Sequence, residues 1–526
     1  MRLGLLVLVA AVAAGCSKCG GAAASKAGVE RVLPRGAVGV VVVPALGDAG
    51  KKLTLVERLK VANFAAQLQG FADGKGFGDA LVAQLGVDPR SPEALEQAGV
   101  DGSRGAAVAV LATGHGYLAL PVKDAGRLHH ALESVASRRL GAGANGEQRF
   151  GELTVKTFSP QKDAPPRLGY VLAHGYALVT DGAGVPQLAG LAAMTEADSL
   201  ATDKAYAEHV GRLPKARDLL VYLPTGSPAL VKAPVTAAAV AVSLSPAGLE
   251  LTVDAPWKGD AAPLAVLQPK APEPLAGYLP ADAFLVVHFA GEPGLLAPWA
   301  KSLLGPYLSR ALEAGGLDVK GAVLEQLQPG ALAALSLADR PPLGEGLPSL
   351  DIRQTNPFSY AHLSGVARVK DPAVVMPALE KVVELAPRFG AEMRVAERPD
   401  GQKAVLTTWA AGEGVHFAPK GDLVFFGSPV QRLDALVKSD GKGPLPAPGG
   451  EQAALSVSVD LARLAASVRA LPESAWGLGG FAMKGTTLRW LDATDDLRAI
   501  SVAVGAQGTS VRARLLLSLA PPAAAP

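Results

Sequence analysis

The sequence predicts an α+β protein built as two tandem homologous halves, each a mainly antiparallel sheet with helices packed on one face. Three observations carry that prediction. At 526 residues the chain is longer than one ordinary domain and can bury a large core, which calls for two domains or one domain used twice. Landmarks then recur at a near-constant spacing: Leu33-Pro34 and Leu279-Pro280 each open a strand-like run, Val122-Lys123-Asp124 and Val369-Lys370-Asp371 each close a strand and begin a helix, and Leu188 is echoed by Leu433, with offsets of 246, 247 and 245 residues. A constant long period of this kind is the mark of an internal duplication. Finally, short β-branched or alternating runs outnumber helical ones, which favours hairpin-joined antiparallel strands over a parallel sheet.

At the amino terminus Arg2 precedes an apolar run, Leu3 to Ala14. The run falls short of the ~20 residues that span a bilayer, and residues 1–15 read as an export signal. Val12-Ala13-Ala14-Gly15-Cys16 resembles the lipobox of bacterial lipoproteins, with small residues ahead of the cysteine. The resemblance implies a diacylglycerol thioether on Cys16, cleavage before it and acylation of the new amino terminus, which together anchor a protein without a spanning helix. By resemblance to enterobacterial lipoproteins, Ser17 in place of Asp after the cysteine implies the outer membrane, facing the periplasm. Cys16 and Cys19 form a C-x-x-C pair, but acylation consumes the first thiol, and the chain holds only 2 cysteines. That excludes a disulfide within the body and argues against redox or zinc chemistry there. Residues 16–30 read as a lipidated flexible tether.

The first half is expected at 31–257. It opens on the strand around Val40 to Val43 and passes through a helical segment and two strands. A helix follows whose apolar stripe is Leu128, Leu132 and Val135. Further short strands, a helix and a strand lead to a closing hairpin that turns at Pro246-Ala247-Gly248. Residues 258–277 hold four prolines and little periodicity, the composition of a linker. The second half, 278–519, repeats the order, with a helix patterned on Val374, Leu379, Val382 and Val383 and a last turn at Ala506-Gln507-Gly508; residues 520–526 read as a disordered tail. Leu33, Pro34, Ala37, Gly99, Val100 and Asp101, with Leu279, Pro280, Asp282 and Ala283 in the second half, resemble the opening strand and Gly-[IV]-Asp segment of a family of uncharacterised bacterial envelope proteins. The resemblance implies the architecture and no particular activity.

Composition narrows the function. Basic and acidic residues number 50 and 48, for a net charge of +2, with no long basic run; nucleic acid is excluded as the expected partner. An aromatic content of 5% is too low for stacking platforms. The run Ala45 to Lys51 follows a strand as a phosphate loop would, but Lys52 stands where magnesium binding needs Ser or Thr. Gly141 to Gly146 matches G-x-G-x-x-G, yet it follows a helix and precedes a strand, the reverse of a dinucleotide site, and reads as a flexible loop. His129 and Glu133 stand one helical turn apart but lack a third metal ligand. His115 and His174 read as turn residues, Ser227 and Ser428 as turn or cap residues, and Asp492, Asp495 and Asp496 as capping and turn residues. No cofactor or metal is expected, and no catalytic residue is assigned.

The halves differ most in one connection. It is short in the first half, Thr113 to Gly116, and about twenty residues long in the second, 339–359. Loops of that length are often functional. This one carries Asp351 and Gln354 beside Arg353, Asn356 and Phe358, which are the candidate partner-binding residues. The expected function is a noncatalytic envelope lipoprotein that binds a macromolecular partner or a lipidic ligand, through that loop or a groove between halves. The alternative is an envelope hydrolase with a dispersed active site.

Overall fold

The structure, a computed structural model, describes residues 28–57, 87–270, 275–293, 315–316, 320–338, 360–385, 391–397, 403–409, 412–413, 415–439, 441, 453–476 and 480–520. It is α+β, with large antiparallel sheets and flanking helices. The chain divides into two compact units, Met1–Gly259 with Leu519–Pro526, and Asp260–Ser518.

The strands of the first unit are β1 (Ala37–Val43), β2 (Ala106–Leu111), β3 (Gly116–Pro121), β4 (Ala144–Phe150), β5 (Leu153–Ser159), β6 (Leu168–Ala173), β7 (Tyr176–Asp181), β8 (Leu219–Leu223), β9 (Ala238–Ser245) and β10 (Gly248–Pro256). Their hydrogen-bonded order is β10-β9-β8-β1-β2-β3-β7-β6-β5-β4, antiparallel at every step. Helices α1 (Leu46–Glu57), α2 (Pro92–Gln97), α3 (Ala125–Leu140), α4 (Val185–Ala192) and α5 (Lys204–Gly211) pack around it.

These helices cover both faces of the sheet, which corrects the expectation of a single helical face. Tyr117, Ala119, Tyr176 and Leu178 face a core closed by Val185 and Leu188 of α4 and Tyr206 of α5. Their strand neighbours Leu118, Leu120, Ala177 and Val179 face the opposite core, closed by Leu128 and Leu132 of α3 and Leu95 of α2. The physical reason is the composition of the central strands. All five residues Tyr176 to Thr180 are buried, so neither side of β7 can face water.

Helix α3 shows how local sequence sets an element. Asp124 accepts hydrogen bonds from the backbone N–H groups of Gly126 and Arg127 at 2.9 and 3.0 Å, capping the amino end. Gly141, in the left-handed region at φ 60°, ends the helix. Residues 141–146 are therefore a helix cap followed by the start of β4, where a flexible loop was expected. The positive φ near the β2–β3 turn belongs to Gly114; His174 (φ 53°) takes the left-handed conformation expected of a turn residue.

The segment read as tether through residue 30 is shorter than expected. The 3-10 turn Val29–Val32 buries both valines in the first core, because apolar side chains that can reach a core leave water. The segment 258–277 is likewise more than a linker. Helix α6 (Ala262–Val266) buries Leu264 and Val266, and Leu275 joins the second unit's core.

In the second unit the strands are β11 (Leu285–Phe289), β12 (Leu327–Leu337), β13 (Ala361–Val369), β14 (Ala391–Glu397), β15 (Lys403–Trp409), β16 (Gly412–Glu413), β17 (His416–Lys420), β18 (Leu423–Ser428), β19 (Leu455–Asp460), β20 (Leu497–Gln507) and β21 (Ser510–Leu519). Pairing runs β20-β19-β11-β12-β13-β18-β17-β15-β14, again antiparallel. Helices α7 (Pro372–Leu385) and α8 (Val430–Lys438) lie on opposite faces: Phe425 packs with Leu433 of α8, and its neighbour Val424 with Val375 of α7. Helices α9 (Leu461–Ala470) and α10 (Gly480–Ala493) close a further cluster around Trp476.

Candidate functional sites

Cys16 and the loop residues Arg353, Asn356 and Phe358 lie outside the described residues. Among the described residues three polar constellations stand out, two of which sequence reasoning missed.

A groove of about 470 Å³ opens in the first unit between α2 and α3, lined by Ala94 and Gln97 on one wall and Arg127, His130, Ser134 and Arg138 on the other. The residues of the α3 wall recur every three or four positions, so they share one helix face. A carboxylate on the rim, Asp88, is neutralised by Arg90, whose Nε and Nη2 lie 2.9 and 3.0 Å away. Those hydrogen bonds hold the Asp88 carboxyl below its usual range. The groove suits a polar or anionic group. His129 and Glu133 do not converge: His129 Nδ1 meets the Tyr170 hydroxyl at 3.0 Å, while Glu133 binds Asn145 and His130.

The second constellation ties α5 to β10. Asp254, 1% exposed, faces His209 Nδ1 at 3.3 Å and Arg212 Nη1 at 3.5 Å. Since a carboxylate only accepts, His209 Nδ1 carries a proton towards it, and the ring lies 6.2 Å from that of Tyr222. Leu249 to Ala255 alternates apolar and polar residues, so Asp254 reads like the polar Glu250 and Thr252 on the same strand and the sequence offers no separate signal for it.

In the second unit, Asp282 and Arg432 form a bidentate pair in which Arg432 Nη1 donates to Oδ1 at 2.9 Å and Nη2 to Oδ2. Burial alone would raise the Asp282 carboxyl, but the hydrogen bonds and charge of Arg432 outweigh it and hold it below its ordinary pKa. Arg432 Nε in turn donates to His362 Nδ1 at 3.4 Å. Guanidinium N–H groups can only donate, so Nδ1 accepts and the neutral ring carries its proton on Nε2. A serine hydrolase base needs the opposite tautomer, Nδ1–H held by a carboxylate and a free lone pair on Nε2. Ser336 stands opposite His362 in the β12–β13 register. Ser364 and His416 flank Gly427 on β13 and β17, both buried at 1% and 2% exposure.

The remaining sequence motifs resolve into packing. Leu46 already begins α1, so the run Ala45 to Lys51 is no phosphate loop. A Cβ at Gly50 would fall 1.7 Å from the Pro89 carbonyl oxygen, which explains the glycine. The buried Lys52 pairs with Asp218 at 2.6 Å. Ser227 lies in a turn, its backbone N–H donating to the Pro224 carbonyl at 3.0 Å, and makes no side-chain capping bond; Pro429 holds the N-cap position of α8, directly after Ser428. Asp495 and Asp496 lie in the turn that follows α10, as expected of turn residues, and Asp492 and Asp495 in addition both accept from Arg469 at 2.8 Å. No group of three or more metal-ligating side chains occurs among the described residues. No described helix is long and apolar enough to cross a membrane.

No protein-family model and no curated protein sequence matches the chain. Among solved structures it is similar to crystal form III of TP0453, at TM-score 0.26 and 10% identity over 45% of this chain and 82% of that one. Crystal form I gives 0.26 and 9% over 45% and 81%, and crystal form IV 0.24 and 10% over 50% and 96%. A likeness at TM-scores this low carries no argument about fold or activity.

Proposed function

We propose that this chain is a noncatalytic envelope lipoprotein, held by lipid on Cys16 at the periplasmic face of the outer membrane, that binds a macromolecular partner or lipidic ligand. The observation that carries the reading is the run of small residues, Ala13-Ala14-Gly15, directly before Cys16 and after an apolar stretch of signal-peptide length. Cys16 stands twelve positions before Gly28, the first described residue. At ~3.3–3.6 Å per residue the connection reaches at most about 43 Å, which keeps the first unit close to the bilayer. The reading is tested by Cys16→Ser: the wild type should incorporate a fatty-acid analogue and the variant should stay unlabelled and unprocessed. Equal labelling of both would remove the lipoprotein assignment.

The two units are proposed to be homologous copies of one fold. Register supports this more closely than element order. Gly169, Thr180 and Tyr117 lie side by side on β6, β7 and β3, and His416, Gly427 and Ser364 do so on β17, β18 and β13. Each member of the second trio stands 247 residues after its counterpart. Partner contact is assigned to the 339–359 loop, through Arg353, Asn356 and Phe358, since extending one connection after duplication gives one unit a surface the other lacks. Replacing residues 340–358 with a turn like Thr113 to Gly116 should leave thermal unfolding nearly unchanged while abolishing crosslinked recovery of the partner.

The hydrolase alternative has one observation in its favour, the His209–Asp254 pair, which holds the tautomer a general base requires. Arg212 shares the same carboxylate oxygen, the arrangement of a structural clamp. Turnover of ester or amide substrates by wild type and its loss in His209→Gln would establish the alternative.

A further inference from the structure

We propose that β4, the open edge of the first unit's sheet, pairs antiparallel with β4 of a second copy of this chain and joins the two sheets into one. Among the described strands β4 is bonded to β5 alone, in a register that runs unbroken from Ala144 opposite Ser159 to Phe150 opposite Leu153. Successive residues of an antiparallel pair point their backbone groups alternately towards and away from the partner strand. The outer side of β4 therefore presents a row of N–H and C=O groups that no described strand takes up. Asn145, Gly146, Glu147 and Arg149 are exposed along it. Sheet edges are commonly blunted by a proline or a bulge, and Ala144–Phe150 has neither.

Charges on an edge usually keep a second copy away, but those of β4 are self-complementary. Glu147 and Arg149 are two positions apart and so share one face of the strand. A two-fold axis through Gln148 sets Glu147 of each copy opposite Arg149 of the other, two opposite-charge pairs per seam. Moving the axis to Glu147 or to Arg149 sets like charges directly opposite each other, so the charges select the register. On the other face the same axis sets Phe150 opposite Gly146, and an aromatic ring covers each glycine. Glu147 is ionised in this position. The hydrogen bond and charge of Lys156 on β5, with a smaller contribution from Arg149, hold its carboxyl below the usual range.

The contact uses the same patch on both copies, so it closes at two. A seam of one short strand from each side belongs to the small, transient class of interfaces. An unrelated extended segment would add to the edge through backbone bonds alone. Only a second copy answers each charge with its own charge from two positions away. The seam involves neither the 339–359 loop nor lipid on Cys16, and its test is separate from theirs.

Disulfide trapping in cells expressing the full chain tests the seam, with Cys19→Ser as the parent. Cα atoms of directly opposite residues lie ~4.5–5.5 Å apart, within the ~4.4–6.8 Å that a disulfide spans. Gln148→Cys, on the axis, should therefore crosslink to its own copy under mild oxidation, well above the parent. Thr154→Cys, on β5 and at least ~14 Å from its copy across the seam, should stay at the parent's level. Adding Arg149→Glu to the Gln148→Cys chain sets glutamates opposite each other and should cut trapping at least about fivefold. The urea midpoint should be unchanged, since the side chain is exposed. Glu147→Arg should cut trapping likewise, and co-expressing the two charge variants should restore it, because each then answers the other's charge. Trapping at Gln148→Cys no higher than in the parent or in Thr154→Cys overturns the proposal, as does trapping indifferent to the charge changes.

Discussion

The Tyr117 hydroxyl donates to the Val32 carbonyl at 2.6 Å, inside the first core. It fastens the 3-10 turn Val29–Val32, the first described element after the proposed anchor, to the centre of the sheet. Burial drives the Tyr117 phenol strongly upward in pKa, so it remains a donor at any physiological pH. Tyr117→Phe would leave the Val32 carbonyl buried without this donor. The expected cost is about 1–3 kcal/mol in urea unfolding, with the loss of exchange protection concentrated around residues 29–33. A change below 0.5 kcal/mol, about the size of an ordinary surface substitution, would show that the turn is not held by this bond.

Lys52 and Asp218 are a buried ion pair, with side chains 5% and 11% exposed. Asp218 also accepts the Leu244 N–H at 2.9 Å. Lys52→Ala strands the carboxylate and should cost about 3–5 kcal/mol, whereas the double replacement Lys52→Met with Asp218→Leu should cost much less. Desolvation outweighs Asp218's attraction and lowers the Lys52 pKa. The fold therefore binds fewer protons there than the unfolded chain just below pH 10.5, and this contribution to stability rises with pH across that window. A denaturation series on the two variants checks both statements.

Gly99 sits at φ 78°, and a Cβ there would lie 2.3 Å from the Asp124 carbonyl oxygen and 2.5 Å from the Leu128 nitrogen. Gly99→Ala combines left-handed strain with a backbone clash at the start of α3. It should destabilise the protein by about 2 kcal/mol or more. A thermal shift within error of wild type would mean that α3 can withdraw at no cost.

Burial pushes the His288 imidazole below its ordinary pKa. The unfolded chain takes up this proton near pH ~6.5 and the folded chain only at lower pH, so the contribution is present above that value and lost as pH falls through the folded pKa. His288→Leu should reduce the pH dependence of the denaturation midpoint between pH 7 and pH 5. An identical dependence in variant and wild type would assign that proton uptake elsewhere.

Much of the architecture is legible in residue order, because it depends on short-range pattern. The strand run Val40 to Val43, the Leu128/Leu132 stripe of α3, the Asp124 cap and the two-residue hairpin after Ser245 all follow from periodicity and turn chemistry within a few residues. The spacing of 245 to 247 residues between landmarks is likewise a property of order alone. Which face each helix covers is not. Strands buried on both sides read as continuous apolar runs, and a run such as Tyr176 to Val179 does not say that α4 lies beneath Leu178 and α3 above Val179. The polar constellations are hidden for the same reason. Asp282 and Arg432 are 150 residues apart, and Arg432 and His362 are 70 apart, so only the folding of the sheet brings them together. Buried charges need a partner wherever the chain can supply one; composition states the need, and tertiary structure alone selects the partner.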